Sequence, residues 1–257
     1  MRRLLHCLLL SLPLPGICRA EAIRACAQDV DTPPFIYRSH QGQRLQGYTL
    51  DVLQRLLHQH GHQLQKIDRL PWRRCVSQLQ QGVYQLVLDA RTGQFEGGQL
   101  LATQPYYQLH NLYFYSRKRF PKGLRIASLP ELGAYRLCSL AGQGYEQFGI
   151  DGRQVDSGTN NYGSLIGKLH NLRCDLFIEA REIVAGHLLL DATLGDRLRN
   201  PNLDDAPLPG DKASTGLHFL VGHDIDRRLG LLRSLNDGIG ALHNNGGLAR
   251  MMFEYLR

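Results

Sequence analysis

The sequence predicts an α/β protein built as two lobes, and three observations carry that expectation. Strand-like and helix-like apolar patterns alternate along most of the chain, the order of a largely parallel sheet. Two β-rich runs, residues 111–115 and 216–222, look like crossings between lobes. Beyond the second run only helical patterns remain. Composition agrees: 257 residues, 43% hydrophobic and 21% charged, suit one large domain or two ordinary lobes and exclude a disordered or collagen-like chain.

Each element has its own justification. Residues 23–26 form a short strand entering the loop Pro33-Pro34-Phe35-Ile36-Tyr37. Thr49 is placed to cap a helix whose Leu50, Leu53, Leu56 and Leu57 share one face, and Gly61 ends it. Residues 62–67 read as the second strand. Pro71 opens a helix over 72–81 that Gly82 stops, and 84–90 is an apolar strand. In the second block, 135–140 is a strand, 144–148 begins a helix, 164–172 is a helix and 174–179 a strand. Toward the C-terminus Leu229, Leu232, Leu235, Ile239 and Leu242 form one apolar face, and Leu248, Met251, Met252 and Tyr255 another.

The N-terminus reads as a secretory leader over residues 1–22. Arg2-Arg3 precedes the apolar run 4–12, the breaker Pro13-Leu14-Pro15-Gly16 follows, and Ala20 and Ala22 supply small residues for cleavage. That run is too short to span a bilayer, so a polytopic membrane protein is excluded and export to the periplasm is expected. The formal charge of +7 overstates the mature chain, because Arg2, Arg3 and Arg19 fall in the leader; beyond residue 20, 27 basic residues face 23 acidic ones. With no basic run longer than Arg117-Lys118-Arg119, nucleic acid is not an expected partner. Export also decides how cysteines are read. Cys26, Cys75, Cys138 and Cys174 remain, an even number in an oxidising compartment. Of three pairings, Cys26–Cys75 with Cys138–Cys174 is favoured, since each pair stays within one half of the chain. No metal is expected, because neither these cysteines nor the eleven histidines show metal-ligand spacing.

Motifs spread along the chain carry a resemblance. They include Gly47-Tyr48-Thr49-Leu50-Asp51-Val52-Leu53, Pro71-Trp72-Arg73-Arg74-Cys75, Thr103-Gln104-Pro105-Tyr106-Tyr107 and Leu129-Pro130-Glu131-Leu132. Leu140-Ala141-Gly142-Gln143-Gly144-Tyr145-Glu146, the stretch 169–177 and Asn245-Gly246-Gly247-Leu248-Ala249 continue the order. The chain thereby resembles the periplasmic solute-binding proteins of the amino-acid-binding type, extracellular solute-binding family 3. The resemblance implies a type II periplasmic binding fold, with lobe one from 23–114 and 217–257 and lobe two from 115–216. It also implies a monomer without cofactor that closes a cleft on a small polar solute, for an ABC-type transporter or for a membrane sensor protein. A dehydratase-like enzyme on the same fold is the further alternative.

Candidate ligand-binding residues sit where such a cleft would lie, beyond the carboxyl ends of strands. Phe35 and Tyr37 follow two stiff prolines and offer aromatic faces, as do Tyr48 and Trp72 at helix starts. Asp89 and Arg91 end an apolar strand, and Arg91 suits a carboxylate clamp. Gln143, Gly144 and Tyr145 lie between a strand and a helix, and Asn161 lies in a polar turn. Glu179 ends the strand where the resemblance implies an acid for a ligand amine. Amino-acid binders carry a carboxylate-clamping arginine at a position that falls at or beside Glu96 here, and no arginine occurs there. Either Arg91 has taken over, or Glu96 with Glu179 favours a cationic or neutral polar solute. A carboxylate facing Glu96 would be repelled, so standard amino acids in the usual pose are disfavoured.

Overall fold

The computed structural model describes residues 22–39, 44–95, 100–190 and 199–256. The expected leader up to residue 21 and Glu96 lie outside the described residues. In β1 (Ala22–Gln28) the side chains alternate between two apolar clusters: Ile23, Ala25 and Ala27 face one, Cys26 the other. Both faces are covered, the first by α1 (Tyr48–Gln59) and the second by α2 (Trp72–Gln80). That double burial is why the strands read as apolar runs.

β1 lies between β4 (Gln63–Leu70) and β5 (Leu86–Arg91), parallel to both. β12 (Ser214–Val221) pairs antiparallel with β5, and β7 (Tyr107–Ser116) pairs antiparallel with β12. A short hairpin, β2 (Tyr37–Arg38) with β3 (Leu45–Gln46), and the edge piece β6 (Leu101–Ala102) beside β12 complete this side. β7 then changes partners. His110 still opposes Ser214, whereas Asn111 opposes Ala180 of β10 (Leu176–Ala180), and Leu112 onward also pairs with β11 (Leu203–Pro207). β8 (Leu137–Leu140) runs parallel to β10, and β9 (Val155–Thr159) parallel to β8. The result is two lobes, each a mixed sheet flanked by helices, with β7 shared between them.

The second lobe is faced by α3 (Tyr162–His170) and α4 (Arg181–Leu190). The last helices are His223–Leu229, Leu231–Asn244 and Gly247–Phe253. Leu231, Leu235, Ile239 and Leu242 are buried in the same cluster as Leu53 and Leu56 of α1. Two disulfides form as expected: Cys26–Cys75 joins β1 to α2, and Cys138–Cys174 joins β8 to the residues entering β10. Among the described residues no helix is long and apolar enough to cross a membrane.

Four sequence expectations are corrected. The run 216–222 is not itself a crossing, because Leu217 to Val221 pair with β5 inside the first sheet. Residues 144–148 hold only a one-turn 3-10 helix, Glu146–Phe148, ended by Gly149 in the left-handed region. Thr49 does not cap α1; Gly47 occupies that position, and the Thr49 hydroxyl reaches Asp89. The apolar face 229–242 is broken at Gly230, whose φ of 61° separates two helices.

Candidate ligand cleft

Parallel strands bring their carboxyl ends to one rim. On the first lobe these are Gln28 of β1 and Asp89 to Arg91 of β5. On the second they are Glu179 of β10 and the loop after β8 that carries Gln143. The end of β5 is irregular: Leu88 and Asp89 together oppose Phe219, and Asp89 takes a φ of 56°. Such a bulge re-aims the side chains beyond it. Asp89 accepts hydrogen bonds from Thr49 Oγ1 at 2.6 Å and from the Tyr106 hydroxyl. Burial pushes the Asp89 carboxyl above the usual carboxylate range.

At the floor Arg91 Nη2 donates to Glu179 Oε1 at 3.0 Å, joining the lobes. Glu179 is 2% exposed and the Arg91 side chain 18%. The Tyr162 hydroxyl donates to Glu179 Oε2 at 2.5 Å, and the Ala180 N–H donates to Oε1 at 2.8 Å. Burial and the adjacent Glu179 charge push the Tyr162 hydroxyl far above its ordinary pKa, so it remains a donor. Both carboxylate oxygens are therefore engaged. Behind Arg91, His218 Nδ1 lies 2.7 Å from the Thr103 carbonyl and Nε2 lies 3.0 Å from Thr92 Oγ1. A carbonyl accepts only, so Nδ1 carries the proton and Nε2 accepts from Thr92. Burial lowers the His218 pKa, which favours this neutral form.

Two voids of about 30 and 20 Å³ flank the Arg91–Glu179 pair. Outside them the cleft opens to about 690 Å³ between Trp72 on one lobe and the loop 141–147 on the other.

Residues 25–257 match the family of bacterial extracellular solute-binding proteins, family 3. The chain belongs to this family. No curated protein matches it. Its fold is similar to the substrate-binding protein of an amino acid ABC transporter, at 16% identity and a TM-score of 0.66 over 91% of this chain and 99% of that one. It is similar to a histidine kinase sensor domain with similarity to periplasmic binding proteins, at 17% identity and 0.69 over 93% and 97%. A third likeness is to an ancestral amino-acid-binding protein, a precursor of cyclohexadienyl dehydratase, at 16% identity and 0.66 over 92% and 96%. These neighbours share the type II periplasmic binding fold.

In this family 3 protein the expected residues divide into two groups. Asp89, Arg91, Gln143, Gly144, Glu179 and Trp72 all line the cleft or its floor, and Phe35 walls the larger of the two small voids, beside Arg91. Tyr48 does not: it is fully buried against Phe35, Tyr106 and Tyr107, with its hydroxyl on the Tyr106 carbonyl. Tyr37 sits in the β2–β3 hairpin opposite Gln46 rather than among the cleft residues. Tyr145 borders the smaller void but is otherwise buried, and its hydroxyl ties β8 to β10 by donating to the Cys138 carbonyl and accepting from the Ile178 N–H. It shapes the loop that carries Gln143 and Gly144. Asn161 caps α3 by accepting from the Ser164 N–H at 2.8 Å. Its neighbour Tyr162 is the residue that reaches the floor. Gln28, which closes β1 as Arg91 closes β5, was likewise marked only by its place at a strand end.

Proposed function

We propose that this protein is exported to the periplasm through a cleaved leader, binds a small polar solute between its lobes as a monomer, and delivers it to a membrane transporter. The observation that carries this reading is the cleft, whose floor is built by one arginine from the first lobe and one glutamate from the second. A site assembled from both sides exists only when the lobes close, which couples occupancy to shape. Family membership supports the same reading. We place the lobe limits where β7 passes from β12 to β10 and where the chain returns from β11 to β12, slightly before the limits expected at 114/115 and 216/217.

Binding is favoured over turnover. A general acid or base needs a proton path to the reacting group; of the two floor acids, Asp89 is held by Thr49 and Tyr106, and the other is Glu179. Its two oxygens are instead held by Arg91 and Tyr162. In a second reading the same closed form engages a membrane signalling protein; the likeness to a sensor domain over 97% of that domain favours it.

Native mass spectrometry of the protein purified without denaturation tests the function. A solute mass that is lost on unfolding, and that stabilises the protein by about 2.7 kcal/mol at a hundredfold excess over Kd, is the expected result. Failure of every solute class to bind would remove the reading. Capture of a permease rather than a kinase from solubilised membranes separates the two partners.

A further inference from the structure

The charged floor and the roomy part of the cleft are different places. The voids beside Arg91 and Glu179 each have room for one or two waters. The outer cleft, at about 690 Å³, falls within the range of small-molecule sites. We infer that the ligand is an uncharged, multiply hydroxylated molecule of the sugar class, bound in the outer cleft over Trp72, with Arg91–Glu179 as a neutralised floor. The inference rests on the binding-protein reading above and names its ligand class.

The lining supplies the chemistry. Gln28 and Gln94 from one lobe and Gln143 and Gln147 from the other border this space. An amide side chain offers two donors and an acceptor, the same mixture that a pair of hydroxyls presents. Trp72 is half-buried at the start of α2 and offers an apolar face for the C–H face of a ring. A zwitterion would need opposite charges in reach. Arg91 and Glu179 already satisfy each other in a desolvated setting, and separating them strands two buried charges. Of the charged groups at the outer rim, Asp29 is shared by Arg38 at 3.1 Å and Arg69 at 3.8 Å, while Arg73 and Glu146 are solvent-exposed, where screening weakens their hold on a charged ligand.

Calorimetry and thermal shift on the purified full-length exported protein test this, using neutral mono- and disaccharides in one panel and the standard L-amino acids in another. The expected result is a saccharide whose affinity changes little with ionic strength. Trp72→Ala should weaken it about tenfold or more, and Trp72→Phe, which keeps the packing, should restore it to within about threefold. Tight binding of an amino acid that disappears in Arg91→Met would overturn the inference, since the pair would then open for a charged ligand, and would leave the binding function standing. No binding from either panel, with no co-purified mass, would overturn both.

Discussion

Asp89 combines an unusual backbone with an unfavourable place for a charge. Its φ of 56° lies in the left-handed region, which aspartate and asparagine tolerate better than most residues. The bulge turns its carboxylate toward Thr49 and Tyr106. Because burial raises its pKa, the folded state holds this proton more tightly than the unfolded chain. Stability from this group is therefore lost as pH rises from about 3.9, the unfolded value, through the higher folded value. Asp89→Asn keeps an acceptor for both hydroxyls and removes the charge. The variant should be at least as stable at neutral pH, and the difference between variant and parent should grow as pH rises above about 4. Urea titrations across that range decide it; a variant less stable by more than about 2 kcal/mol at neutral pH contradicts the account. At this scale strand ends were the readable signal. They pointed to Arg91, Glu179 and Asp89, and passed over Gln28, which lacks a charge. Tyr48 misled because a helix-start aromatic looks the same whether it faces a cleft or, as here, three other rings in the core. No local pattern announces that Thr49 bonds a residue forty positions away.

Among the elements, α4 brings its backbone close against the proline loop of the first lobe. A Cβ on Gly186 would lie 2.3 Å from the Pro33 carbonyl oxygen and 2.7 Å from the Pro34 nitrogen. Both are main-chain atoms, so the loop carrying Phe35 cannot yield by turning a side chain. Gly186→Ala gains up to about 1 kcal/mol of helix propensity. The clash should cost about 1–3 kcal/mol and push α4 off the proline loop. A lower midpoint in chemical denaturation, with weaker ligand binding, is the expected outcome; an unchanged or raised midpoint would show that the contact opens freely. Periodicity made most elements legible, including the apolar face of α1 and the proline start of α2. It marked 111–115 as a crossing, which β7 is, but not the residue where the partner changes, because the alternation of Leu109, Asn111, Tyr113 and Tyr115 continues unbroken through it. Nor did it locate the return passage, since Leu217 to Val221 form an apolar strand wherever they pair.

For the whole molecule, each lobe carries its own covalent tie, spanning 49 and 36 residues of sequence. In the chain-entropy limit each closes a loop worth about 4 kcal/mol. Reduction should therefore lower the melting temperature by roughly 8–16 °C per bond, taking about 2–4 °C for each kcal/mol. Calorimetry with and without reductant measures it; a shift below about 2 °C for both bonds together would mean that the bonds contribute little. The same topology governs how the cleft can be watched. Ala22 opens the sheet of the first lobe, and Tyr255 near the other end hydrogen-bonds Asp51 of α1 on that same lobe. Fluorophores attached near Ala22 and Tyr255 would ride together on the first lobe and report nothing of the cleft. A usable optical sensor needs one dye on an exposed site such as Arg55 and the other across the gap, at Arg153, whose side chain is 90% exposed.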